Sequence, residues 1–401
     1  MKKHVAETLA LAAAALLALG QAALAQQADP SKTPKQAGKV KVFILAGQSN
    51  MEGLGHTRTL AHLGEDPQYG ALLKKIRNDD GSWVVRDDVF ISFRGGKTHG
   101  PLSVGFGADK QFVGPELMFG VIMGDAYKDP VLLIKTAWGG KDLHFDFRPP
   151  GAGRLPYPID PEAFAKRGGE KAVGDCYRKM VAETRDCLDN MGTYFPPLKG
   201  KAYEIVGFVW FQGWNEMFAS KGIPFEQIMA DYPVLYATMI QDLEKEFGLD
   251  RLPSVVGEIG IDGDAAGGKI LDVRKAQAAI ADRPELKGKV RFVRTAQYWD
   301  PKLVELQAKE RTIQKEQREK LKEQVAAELK GKLEGKSPKE QTDAQNKALD
   351  QAVHATSEYK AWQAEYDTMF SHWPCHYYGN GRNYCLIGYG LAEAMKDLCK
   401  P

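Results

Sequence analysis

The stretch KVFILAGQSNMEG, residues 41 to 53, decides how the rest of the chain is read. The apolar run from Val40 to Leu45 is the pattern of a strand covered on both faces of a sheet. Gly47 ends it, and Gln48, Ser49 and Asn50 follow at the strand's carboxyl end. Two readings of Ser49 stand at this point. Ser and Asn are favoured where helices begin, so Ser49 can simply be the cap of the next helix. Alternatively its hydroxyl is a nucleophile at the lip of a sheet, the edge where open parallel sheets take their ligands.

Working outward, four more apolar runs rich in β-branched residues or Phe recur: PVLLIKTA from Pro130, EIVGFVWF from Glu204, LPSVVGEIG from Leu252 and KVRFVRTAQ from Lys289. Helical patterns lie between them: GPELMFGVIMGDAY, CYRKMVAETRDCLDNM, DYPVLYATMIQDLEKEFG and DVRKAQAAIADR, with YCLIGYGLAEAMKDLC closing the chain. Alternating strands and helices predict an α/β fold, a doubly wound parallel sheet with helices on both sides. From Pro301 to about Phe370 the composition turns to Lys, Glu, Gln and Ala, interrupted by GKLEGKSPKE. This predicts an inserted hairpin of two long helices over 301–370. The first carries a thin stripe of Ile313, Leu321, Val325 and Leu329, the second a broader one of Leu349, Val353, Tyr359, Trp362, Tyr366 and Phe370. Ordinary packing accounts for such stripes, and self-association through the hairpin is the alternative use.

The 401 residues are 43% hydrophobic and 26% charged, enough for one large α/β domain with insertions or for two domains. A net charge of +2 implies no electrostatic pull toward nucleic acid or anionic lipid. Lys2 and Lys3, the apolar stretch Leu9 to Leu19 and the small residues of Ala23-Leu24-Ala25 form a secretory signal pattern over 1–25. The apolar run is shorter than the roughly 20 residues of a spanning helix. A flexible segment over 26–38 follows, and the mature chain is expected to be periplasmic or secreted, with no membrane attachment after cleavage. All five cysteines lie beyond the signal. Cys176 and Cys187, eleven positions apart on one predicted helix, are about 16 Å apart and out of reach of each other. Cys375 and Cys385 flank turn residues and are the more plausible pair. No CxxC pair or His/Cys cluster suggests a metal site.

The residues after the first three of these runs are Gly47-Gln48-Ser49-Asn50, Ala137-Trp138-Gly139-Gly140 and Gln212-Gly213-Trp214-Asn215-Glu216. A hydroxyl, flexible backbone able to present N–H groups, and side-chain amides are what acyl transfer needs. Phosphate chemistry is set aside: FRGGKTHG has Ile91 where a P-loop needs its first glycine, and WGGKDL has Asp142 after Lys141. The G-x-S-x-G elbow also fails, at Met51. A serine nucleophile needs a base. Among the histidines, His372 and His376 in SHWPCHYYGNGRNY lie in a late loop before the terminal helix, and His376 is the better placed of the two by its following turn residues.

AGQSNM, TAWGGKDL followed by FDFRPP, WFQGWNE, and HYYGNGRNYCLIG before a helix together resemble the sialate O-acetylesterase-like carbohydrate esterases, a branch of the SGNH hydrolases. The resemblance runs from about Lys41 to the terminal helix, apart from the helical insertion. It implies a flavodoxin-like three-layer α/β/α fold, with an SGNH hydrolase domain over 39–300 completed by 371–401. It implies Ser49 as nucleophile and His376 as base. The oxyanion hole would comprise the Ser49 N–H, the N–H of Gly139 or Gly140, and the Asn215 side chain, with Gln212 as an alternative or helper. No cofactor is implied, and the expected partner is an acetylated carbohydrate. The superfamily places an Asp three residues before its histidine, and here that residue is Trp373. Glu116 and Glu258 are the candidate orienting carboxylates, with Asp142 and Asp367 behind them; a Ser–His dyad is the alternative. Trp138, Trp214, Tyr377 and Tyr378 flank the motifs and are candidates to stack on a sugar. Substrate choice is expected to lie in loops such as 148–157. Two rival functions remain at this level: an inactive glycan-binding protein on the same scaffold, and an assembly component using the hairpin.

Overall fold

A computed structural model describes residues 38–155, 160–218 and 223–401. The expected signal peptide and nearly all of the flexible segment lie outside these residues, as do residues 156–157 of the 148–157 stretch. No helix among the described residues is long and apolar enough to cross a membrane.

The five apolar runs form β1 (Val40–Gly47), β4 (Val131–Ala137), β5 (Tyr203–Phe211), β6 (Ser254–Gly257) and β7 (Val290–Val293), all parallel. Two strands of the main sheet were not anticipated, β2 (Val89–Phe93) and β3 (Thr98–Pro101), nor was a small separate pair, Gly55–His56 with Phe112–Val113. The sheet order is β3-β2-β4-β1-β5-β6-β7, with only β3 antiparallel. Leaving aside the edge pair β2 and β3, the order β4-β1-β5-β6-β7 is the flavodoxin-like one, in which the chain crosses from one side of β1 to the other. Pro101 closes β3 at the open edge, where a missing N–H costs no ladder bond.

Both faces of β1 are buried, which is why its run shows no alternation. Phe43 and Leu45 enter one core layer with α1 (Glu116–Ala126) and α8 (Gly381–Cys399). Ile44 and Ala46 enter the other with α2 (Asp175–Asp189), α3 (Phe225–Phe247) and α4 (Lys269–Ala278). The result is three layers, α/β/α.

Between Pro301 and Met369 the chain forms three helices rather than two: α5 (Pro301–Leu329), α6 (Pro338–Ala355) and α7 (Ser357–Met369). The break falls at Thr356, whose hydroxyl accepts the Tyr359 N–H and so starts a new helix. Of the expected stripes, Val325, Val353, Trp362 and Phe370 are buried, and Leu303 and Leu306 anchor the start of α5 in the main core. The expected Cys375–Cys385 bridge is corrected: all five thiols are free. Cys385 faces the core from α8, fully buried, whereas Cys375 sits half-exposed in the preceding loop.

Candidate active site

Parallel pairing in register brings the three motifs together. Gly47 is level with Ala137 on one side and with Phe211 on the other, so the residues after all three strands emerge at one rim. This is the switch point of the sheet.

Ser49 is the first residue of a single helical turn, Ser49–Glu52, whose N-cap is Gln48, so the capping reading is corrected: the Ser49 side chain does not cap the turn. The turn closes at Gly53, with φ +89°, where a Cβ would come within 2.3 Å of Gly114. Beneath it lies a buried ion pair. Lys135 Nζ on β4 donates to the carbonyls of Glu52 and Phe106, each at 2.6 Å, and to Glu116 Oε2 at 2.9 Å. Three acceptors for three N–H groups keep the ammonium satisfied, although burial pushes its pKa down.

The base arrives from the other end of the chain. His376 Nε2 lies 2.9 Å from Ser49 Oγ, and His376 Nδ1 lies 2.9 Å from His372 Nδ1. Burial, reinforced by His372, pushes the His376 pKa down to about 4, so the ring is neutral across the neutral range. The loop carrying it is strained: Tyr377 and Tyr378 have φ of +52° and +55°, a conformation that costs about 1–3 kcal/mol for such residues. Clamps hold it there. Asn50 donates to the Cys375 carbonyl at 3.1 Å and accepts from the Tyr384 hydroxyl at 2.8 Å. Tyr377 is fully buried, its hydroxyl taking the Gly260 N–H at 2.7 Å, and the Tyr378 carbonyl accepts from the N–H groups of Ser371 and His372. Thr59 bonds Gly379 and Gly381.

The donor side is adjacent. Gly139 lies against Ser49 and Glu52, and a Cβ on Gly140 would sit 3.8 Å from Asn215 Nδ2. The Glu52 carboxyl, its pKa raised by burial, takes the Gly139 N–H. Among the described residues the Ser49 and Gly140 N–H groups and the Asn215 side chain have no hydrogen-bond partner, and they are the donors open to a ligand.

Several expectations need correction. Gln212 is not available as a donor, because its amide N–H groups go to the Lys141 carbonyl and to Glu216 Oε1. Neither Glu116 nor Glu258 reaches His376. Glu116 is spent on Lys135 and the Gly114 N–H, and Glu258 accepts from the Ala296 N–H. Asp142 caps the 142–146 turn and pairs with Arg167, and Asp367 bonds Gln363. Tyr377 and Tyr378 are buried and cannot offer a face to a sugar, while Trp138 and Trp214 are half-buried. The ring that does stand out beside the base is Trp373, 71% exposed.

Two positioning residues were missed. Glu216 takes the Leu143 N–H and the Gln212 amide, tying the end of β5 to the glycine turn; burial raises its pKa. Asn50 clamps the histidine loop. Both stand inside quoted motifs, WFQGWNE and AGQSNM, so position within a dense polar motif was the available signal.

The sequence profile of the family described as carbohydrate esterase, sialic acid-specific acetylesterase matches residues 39–297. Among curated proteins, none matches the sequence significantly. Solved structures similar to the chain include a protein of Arabidopsis thaliana at 17% identity and a TM-score of 0.39, covering 64% of this chain and 86% of that one. NanS aligns at 14% identity and 0.38, over 64% of this chain and 78% of its own. A carbohydrate acetylesterase of Xanthomonas citri aligns at 15% and 0.36, over 63% of this chain but only 49% of its own. With the profile spanning the rim motifs at Ser49, Gly139 and Asn215, the chain belongs to the carbohydrate esterase family of sialic acid-specific acetylesterases.

Proposed function

We propose that this carbohydrate esterase removes O-acetyl groups through a serine acyl-enzyme, and that it does so outside the cytoplasm. The observation that carries the mechanism is the 2.9 Å contact between Ser49 Oγ and His376 Nε2. Ser49 Oγ attacks the acetyl carbonyl carbon as its proton passes to Nε2, and the carbonyl π pair moves onto oxygen. The Ser49 N–H, the Gly140 N–H and the Asn215 amide hold that oxyanion. The intermediate collapses, the bond to the sugar oxygen breaks, and Nε2 returns the proton to the leaving hydroxyl. Water then repeats the cycle on the acetyl-enzyme, releasing acetate. Trp373 at the rim offers an aromatic face to the sugar.

The test is acetate release across a panel of acetylated glycans and an aryl acetate, with labelling by a serine-reactive phosphonate. Ser49→Ala should lose about 10⁴-fold or more in kcat and all labelling. Full acetate release by that variant would end the mechanism, and an unlabelled, inactive wild type would favour a glycan binder. Export rests on the amino-terminal pattern. It predicts that the protein recovered outside the cytoplasm begins near Gln26, whereas an uncleaved cytoplasmic product would refute it.

A further inference from the structure

A serine hydrolase histidine needs something at its second ring nitrogen, because an imidazole that can flip its tautomer presents the wrong atom to the serine half the time. Carboxylates commonly fill that place, and none does here. Trp373, at the position of the superfamily's Asp, turns its side chain outward, and the two buried glutamates nearest in the sequence motifs are bonded elsewhere. What faces His376 Nδ1 is a second imidazole.

We propose that His372 is the orienting residue of the proposed esterase centre: its Nδ1 accepts the Nδ1–H of His376 and holds that ring with its Nε2 lone pair toward the Ser49 hydroxyl. Two nitrogens 2.9 Å apart can bond only if one carries the hydrogen. There are two ways to place it. With the proton on His376 Nδ1, the chain runs from the Ser49 hydroxyl to Nε2 and from Nδ1–H to His372. The outer Nε2–H of His372 then meets solvent, since that ring is half-exposed. The reverse arrangement puts a proton on His376 Nε2, facing Ser49 Oγ, whose own hydrogen has no other acceptor among the described residues. Only the first arrangement gives the Ser49 hydroxyl a protein acceptor and leaves the Nε2 lone pair free to take its proton.

The geometry of His372 is built rather than incidental. Its N–H donates to the Tyr378 carbonyl at 3.0 Å, inside the strained turn that also sets His376. Gly379, at φ +66°, leaves the room: a Cβ there would lie 2.0 Å from Ser371 Oγ and 2.9 Å from His372 Cβ. The rings meet edge to face at 65° with centroids 4.6 Å apart.

A neutral acceptor has a consequence that a carboxylate would not. Besides His372, the ionisable side chains bonded to this loop among the described residues are Tyr384, whose hydroxyl reaches the His376 carbonyl, and Arg58, which donates to the Phe370 carbonyl. Burial is the main cause that lowers the His376 pKa, His372 adds to it, and no carboxylate among the described residues raises it. A base that must be neutral to work, with its pKa depressed, keeps working as pH falls until that low pKa is reached. The acid limb of kcat/KM should therefore lie well below the ordinary histidine range.

The experiment uses the full chain and an aryl acetate, comparing His372→Ala, His372→Asn and His372→Asp, with thermal melting to confirm folding. Asn places an amide oxygen at the atom position of Nδ1, and Asp a charged one. His372→Ala should lower kcat about 10²-fold with KM little changed. His372→Asn should recover to within about tenfold of wild type. His372→Asp should stay active at neutral pH while its acid limb moves up by about one unit or more, because a carboxylate stabilises the imidazolium. Wild-type kcat in His372→Ala, or equal losses in Ala and Asn with no movement of the limb in Asp, would overturn the assignment. Nitrogen-15 NMR of the imidazoles separates this from the esterase reading. Hydrogen on His376 Nε2 rather than Nδ1 in the resting protein refutes the tautomer whatever the activity, whereas an inactive, unlabelled wild type with Nδ1–H intact refutes only the esterase.

Discussion

The serine turn and the histidine loop meet at two hydrogen bonds, Ser49 with His376 and Asn50 with the Cys375 carbonyl, yet they are held by opposite means. The serine turn is an outgrowth of the sheet. Its place follows from β1 lying in register between β4 and β5, and a saturated Lys135–Glu116 pair props it from below. The histidine loop borrows its place. Two tyrosines in left-handed conformation are kept there by a buried hydroxyl, a doubly used carbonyl and Asn50 reaching across from the serine side. One half of the centre is set by ladder hydrogen bonds and core packing, the other by a few side-chain clamps overriding local strain.

The contrast can be broken from the stiff side first. Glu116→Ala leaves the Lys135 ammonium buried with one acceptor missing, and should cost about 3–5 kcal/mol of stability, measured by chemical denaturation. A loss under 1 kcal/mol would mean the prop is idle. Next comes the donor side. Asn215→Ala should lower kcat about 10²–10³-fold with folding unchanged if the proposed mechanism holds, since the side chain bonds nothing else among the described residues. The smallest effect sharpens the comparison. Asn50→Ala removes the bond to the Cys375 carbonyl in the loop and the bond from Tyr384 on α8, and should cost about 1–3 kcal/mol. It should also raise hydrogen exchange in residues 371–380 while leaving β1 protected. Equal loosening of both regions would show that the clamps hold more than the loop.

The helical segment gives a related lesson. Its apolar stripes were readable, but the division into α6 and α7 was not, because Thr356 breaks the helix through a cap and not through a glycine or proline. The unforeseen β2 shows another limit: VFISF was short, and its partner β4 lies some forty residues further on.

Taken alone, the amino-acid sequence determined the layered architecture, since continuous apolar runs ending in polar motifs have few other solutions than a parallel sheet covered on both faces. It also offered Ser49, the glycine turn and Asn215 as candidates because they follow strand ends, and His376 because it lies in a late loop before the terminal helix. Only the tertiary structure decided which groups touch. It sent Glu116 to a buried lysine, closed Gln212 into the scaffold and turned Trp373 outward. It also set a second histidine against the first. The reason is physical: burial and hydrogen-bond pairing depend on how the elements pack and turn in space, and a residue's type says what it can bond, not what will be within 3 Å of it.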